Sequence, residues 1–132
     1  MRAFREAVEA GDIDAVEALL AEDVVFTSPV VFKSYPGKAI TTAILRAVSQ
    51  VFEDFRYEKE LAGADGRDSA LVFAARVGDR ELSGCDFIHV DENGLIDELT
   101  VMVRPLSGAQ ALAAAMGARF DEILKEAEAR TV

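Results

Sequence analysis

Asp86 stands inside the run SGCDFIHV, among residue types that sheets bury. In an extended strand Leu82, Gly84, Asp86, Ile88 and Val90 share one face, and Ser83, Cys85, Phe87 and His89 share the other. Asp86 therefore has apolar neighbours on its own face. Desolvation disfavours a charged carboxylate there and raises its pKa. A neutral Asp86 can donate a hydrogen bond to a carbonyl or a developing enolate, and an ionised one can act as a base tuned toward neutrality. The bland alternative is a structural carboxylate satisfied by Ser28, a tyrosine or a basic neighbour.

Few other residues compete with it. His89 alternates away from Asp86, and its spacing gives it no partner, so it reads as an outer-face or interface residue. Cys85 lies on that same face and reads as small filler. One cysteine excludes an internal disulfide, and one cysteine with one histidine, lacking HExxH or CxxC spacing, makes no zinc set. Ser28, in FTSP, has no His-Asp set behind it, so it reads as a hydroxyl that orients a ligand or bonds Asp86. The turn AGADGRD lacks the GK[ST] of a phosphate loop. Tyr35 could hang over a pocket mouth or merely pack, and Lys33 and Arg104 read as solvated charge. The expected site uses no metal and no cofactor.

The elements that position Asp86 follow from periodicity. Phe4, Ala7 and Val8 mark a first helix over 2–10, stopped by Gly11. Asp12 can cap a second, DIDAVEALLAED, with Ile13, Val16, Leu19 and Leu20 on one face. VVFTSPVVF changes period and predicts a strand through Ser28, ended by Pro29. KSYPG is a turn, and KAITTAILRAVSQVFED is a third helix with Ile40, Ile44, Val48 and Val51 or Phe52 buried. Four strands follow, FRYEKELAG, SALVFAARVG, RELSGCDFIHV and LIDELTVMVRP, joined by hairpin-length turns into an antiparallel meander. A last helix runs over about 107–130, opened by a Ser107–Gln110 capping box. Its stripe Leu112, Met116, Phe120 and Leu124 could lid a pocket, pack on its own domain or face a dimer partner. The order predicts an α+β fold, with a strongly curved sheet on which Gly84 helps the bend.

The chain's 132 residues suit one domain over 1–132, and 51% hydrophobic residues suffice for a core. A net charge of −10 with no basic patch argues against nucleic acid and anionic membranes. No apolar run reaches membrane-span length, and the N-terminus lacks a signal-peptide core, so a cytoplasmic location is expected.

Three stretches, EAGDIDAVEALLAEDVVFTSP, PGKAI opening a helix, and DFIHVDENGLIDELTVMV, resemble the nuclear transport factor 2-like superfamily, in its SnoaL-like and ketosteroid-isomerase-like branch. The resemblance covers about 3–106. It implies a cystatin-like cone: a curved antiparallel sheet wrapped around N-terminal helices, here with an extra C-terminal helix, enclosing a deep pocket. It also implies a homodimer through the outer sheet face, where Phe87, Met102 and Val72 lie. Against the ketosteroid isomerase pattern, Asp86 matches the neutral oxyanion-donating acid. Ser28 replaces the base carboxylate, Phe4 replaces the first-helix tyrosine, and Leu20 and Leu45 replace two supporting tyrosines. These departures argue against ketosteroid isomerase activity itself, and a limonene epoxide hydrolase Asp-Arg-Asp set has no match. The pocket wall is expected from Phe4, Phe26, Phe55, Tyr57, Phe73, Ile88, Leu99, Val101 and Val103, with Asp86, Ser28 and Tyr57 or Tyr35 as polar points. Two functions follow: a cofactor-free isomerase, cyclase or lyase acting on a small apolar molecule through Asp86, or a non-catalytic module for hydrophobic-ligand binding or dimerisation.

Overall fold

The computed structural model describes residues 1–130. Its elements are α1 (Arg2–Glu9), α2 (Ile13–Leu19), β1 (Leu20–Thr27), β2 (Tyr35–Pro36), α3 (Lys38–Val51), β3 (Glu53–Ala62), β4 (Asp68–Val77), β5 (Arg80–Val90), β6 (Ile96–Arg104), α4 (Leu106–Gly117) and α5 (Phe120–Arg130). The strands form one six-stranded sheet in the order β2-β1-β6-β5-β4-β3. With its helices this is an α+β cone.

The meander β3-β4-β5-β6 is antiparallel throughout, as its short turns require. The sheet as a whole is mixed, which corrects the wholly antiparallel expectation. β1 runs parallel to β6, with Phe26 opposite Leu99 and Thr27 opposite Thr100. No hairpin joins these two strands, so no turn dictates their relative direction. α3 and the meander between them supply the long connection that parallel neighbours need. The KSYPG turn also contributes a two-residue strand, pairing Tyr35 with Phe26 and Pro36 with Val25.

Asp12 caps α2 as its position suggests, accepting from the Ala15 N–H at 3.0 Å. The helix stops at Leu19 rather than continuing toward Asp23. Pairing with β6 and the β-branched Val24–Val25 override the helical period, and β1 ends at Thr27. At the other end of the chain the single expected helix is two, broken at Ala118–Arg119. Pro105 takes the N-cap position of α4 and Ser107 falls within its first turn, so the expected capping box does not form. The break also ends the four-residue stripe: Leu112 and Ile123 are buried, whereas Leu124 is exposed.

The core lies between the inner sheet face and the helices. Phe4 and Val16 from α1 and α2 and Ala43 and Ile44 from α3 pack with Val24, Leu71, Phe73 and Leu99 of the sheet. α3 buries more than one stripe, including Thr41, Thr42 and Ala47, because the sheet covers one side of it and α5 another. α4 sits close on β5 through Gly108, where an added Cβ would lie 2.7 Å from that of Leu82. No helix among the described residues is long and apolar enough to cross a membrane.

Candidate functional site

β5 turns Asp86 inward, leaving it 8% exposed. Two strands away, Tyr57 of β3 is equally buried and donates its hydroxyl to Asp86 Oδ2 at 2.8 Å. β4 lies between them, with Leu71 beside Asp86 and Phe73 beside Tyr57, so the bond reaches across an apolar strand. Burial pushes the Asp86 carboxyl up to about 7, and the Tyr57 hydrogen bond pulls the other way by favouring the charged form. The Tyr57 phenol is held well above its ordinary value, first by burial and then by the neighbouring carboxylate.

The pair borders an apolar cavity of about 320 Å³. That volume falls at the low end of small-molecule sites, roughly 300–1,000 Å³. Four aromatic rings form one wall. Phe55 stacks on Phe73 at 5.0 Å between centroids and on Phe52 at 5.7 Å, and meets Tyr57 edge-on at 4.9 Å. Gly84 makes room for this wall, since a Cβ there would fall 2.4 Å from the Phe73 ring. Behind Tyr57, the Arg5 guanidinium lies 5.8 Å from the ring centroid and is paired with Glu60 and Glu9.

Of the residues expected at the site, Phe4, Phe26, Tyr57, Phe73 and Val101 line the cavity together with Asp86 and Ser28. Ile88, Leu99 and Val103 do not line it, although they share the inner face. Ile88 and Leu99 pair across β5 and β6 and are consumed by the core, and Val103 packs against that core. Ser28 does not bond Asp86. Its Oγ accepts from the Val30 N–H at 3.1 Å and shapes the loop at the cavity rim. Tyr35 also borders the cavity, with its ring 6.4 Å from that of Phe120. Leu45, Val48 and Ser49 of α3 also line the cavity; Leu45 stands at a position matched to a supporting tyrosine and Val48 in the expected buried stripe, whereas Ser49, off that stripe, had no signal. The sequence also left open what the C-terminal segment covers. Leu112, Met116, Phe120 and Ile123 line the cavity of their own chain. No Lys, Arg or His is among the lining residues, so nothing in the wall neutralises an anion.

His89 is on the outer face, and the expectation that it has no partner is corrected. His89 pairs with Glu98 and Val90 with Ile96, leaving Asp97 as the extra residue of a β-bulge. The bulge brings Asp97 Oδ1 within 2.6 Å of His89 Nδ1. With Glu98 these form the one group among the described residues whose atoms could hold a metal, within 4.8 Å of one another. They lie on the face opposite Asp86 and take no part in the cavity.

The SnoaL-like domain family matches residues 1–99. A protein described as a steroid delta-isomerase from Pseudomonas aeruginosa is 45% identical, with a TM-score of 0.87 over 92% of this chain and 89% of that one. A conserved bacterial protein with a cystatin-like fold from Silicibacter pomeroyi is 38% identical, with a TM-score of 0.88 over 96% and 91% of the two chains. An NTF2-like protein of unknown function from Mesorhizobium loti shares the fold at 20% identity, with a TM-score of 0.69 over 80% and 88%. No curated protein matches the chain. The matched domain and these relatives together place the chain in the SnoaL-like domain family, with the fold of NTF2-like proteins.

Proposed function

We propose that the chain binds a small apolar molecule bearing a carbonyl or hydroxyl group and carries out cofactor-free acid–base chemistry on it, of the isomerase or cyclase type. The observation that carries this reading is the buried Tyr57–Asp86 bond at the wall of an apolar cavity. With a pKa of about 7, Asp86 populates both protonation states near neutral pH. The neutral acid accepts from Tyr57 on Oδ2 and donates its own proton to a ligand carbonyl. The carboxylate removes a proton from the carbon beside such a carbonyl. Asp86 is the single carboxylic acid among the cavity-lining residues, so the same group must return the proton it takes. The steroid delta-isomerase description of the 45% identical relative supports a lipophilic ring compound as ligand. Ser28 and Phe4, in place of a carboxylate and a tyrosine, argue against that reaction itself.

A second reading is binding without turnover. It is favoured by the same lone carboxylic acid: no second base lines the cavity, and the Ser28 hydroxyl is engaged with Val30. On the outer sheet face Phe87 and Met102 are 43% and 59% exposed. We infer that a second copy covers them, with light scattering at micromolar concentration as the check and a monomer as the contrary result.

The test is a thermal-shift screen of cyclic ketones, steroids, phenols and polyketide fragments on wild type, Asp86→Asn and Tyr57→Phe, followed by product analysis of each hit. Hits that stabilise the wild type and are turned over by it, but not by Asp86→Asn, support the enzyme. Equal binding in both without turnover supports the binding module. Tyr57→Phe removes a bond that favours the carboxylate, so it moves the pH midpoint of activity upward. A downward move contradicts the assigned role of Tyr57.

A further inference from the structure

Residues beyond the matched 1–99 segment complete the cavity, and they are attached to the cone in two different ways. α4 is seated firmly. Its Leu112 is buried, and Gly108 lets the helix backbone approach β5 so closely that a Cβ would meet Leu82. α5 is seated less firmly, packing mainly on α3. Ile123 is its one buried residue, and Phe120 is half-buried against Tyr35. Apart from Ala127, which packs on the edge of the core, the other attachments near it are polar and part-exposed: Arg46 to Glu126 at 3.3 Å, Arg130 to Glu17, and Arg119 to Gln50 at 2.7 Å. Ion pairs of this kind contribute little and are screened by salt. Segments with few buried apolar contacts open at low free-energy cost.

The joint between the two helices suits a hinge. α4 ends at Gly117 and α5 starts at Phe120, with the short turn held by bonds from Ala118 N–H to Ala114 and from Arg119 N–H to Met116. Nothing lies within 4 Å of where a Cβ on Gly117 would be, so the joint itself is not packed against a neighbour on that side. Immediately past the hinge, Phe120 and Ile123 face the cavity, on the side contributed by the C-terminal helices.

We propose that α5 is a hinged wall of the cavity, swinging about 117–119 to admit ligand, with Phe120 and Ile123 setting the length of ligand accepted. This rests on the reading of the cavity as a ligand site, and the test separates the two. Hydrogen exchange of the ligand-free protein comes first, since it needs no ligand. The α5 amides are expected to exchange roughly tenfold or more faster than those of α4. Equal protection of α4 and α5 overturns the hinge, whatever the cavity binds. Binding is then followed with prodan, a neutral naphthyl ketone, by stopped flow, and with a series of methyl ketones of increasing chain length by thermal shift. In the Arg46→Ala/Arg130→Ala variant, association and dissociation of prodan should both accelerate, by about three- to tenfold, with a smaller change in affinity. In Phe120→Ala the best-bound methyl ketone should be longer by about two carbons. Unchanged rates and an unchanged length optimum also overturn the proposal. Failure of every ketone to bind the wild type would overturn the ligand-site reading and the length role of Phe120 with it, while fast exchange of α5 would still identify the hinge.

Discussion

Asp86 and His89 are three residues apart on β5 and face opposite sides of the sheet. Both have raised pKa values, for opposite reasons. Burial raises Asp86, because an apolar cavity wall penalises its charge. For His89 the largest cause is the hydrogen bond to Asp97, with the charges of Asp97, Asp68 and Glu98 adding to it. One group is pushed toward neutrality and the other toward charge by the same strand, because alternation gives one the cavity and the other water. The inner group is thereby held near neutrality against an apolar cavity, whereas the outer one is paired with a carboxylate that a bulge sets beside it.

The largest expected effect separates the faces by packing. Phe73 is 1% exposed, with ring centroids of Phe55 and Phe52 at 5.0 and 5.6 Å. Phe73→Ala should cost about 3–5 kcal/mol, through lost burial and the cavity left behind. Phe87→Ala, on the outer face, should cost under about 1 kcal/mol in the isolated chain. Urea unfolding of both variants checks the contrast. Equal losses at protein concentrations low enough to keep the chain monomeric would mean that the inner face is looser than its packing indicates.

The next effect is electrostatic. A folded-state pKa of about 7 against an ordinary 3.8 means that the native state binds the Asp86 proton more tightly than the unfolded chain. The stability linked to that proton is fully present below about pH 4, and is lost as pH rises through about 7. Between about pH 5 and 8 the wild type should lose roughly 2–3 kcal/mol by this route, and Asp86→Asn should not. The variant should therefore gain on the wild type as pH rises. Denaturant titrations at the two pH values decide it, and parallel pH dependence in the two proteins would mean that Asp86 is not the desolvated group.

The inward aim of Asp86 was legible because strand alternation needs only local sequence. Its partner was not: Tyr57 was visible as a polar wall residue, but the bond crosses β4, and its register depends on an irregularity between Tyr57 and Lys59. The same limit hid the His89–Asp97 pair, which exists only because a bulge sets Asp97 beside His89. The parallel pairing of β1 escaped for want of a turn to announce it. The α4–α5 break lies in the run ALAAAMGARF, rich in strong helix formers, where Gly117 alone signals a stop. Residues that act through their own strand or helix could be read; those that act through register across the sheet could not.

The smallest effect tests the outer half of the comparison. Asp97→Asn removes the largest cause of the raised His89 pKa, so the imidazole should titrate closer to its ordinary 6.5. In the wild type, the stability linked to protonated His89 is present below about pH 6.5, and is lost as pH rises through the raised folded value. NMR titration of the imidazole reads the shift directly, because this is the chain's single histidine. Added salt should lower the wild-type His89 pKa, since its carboxylate partners are reached by solvent, and leave that of Asp86 nearly unmoved. If salt moved both alike, the cavity would be as wet as the outer face, and the desolvation that sets Asp86 apart from an ordinary carboxylate would be absent.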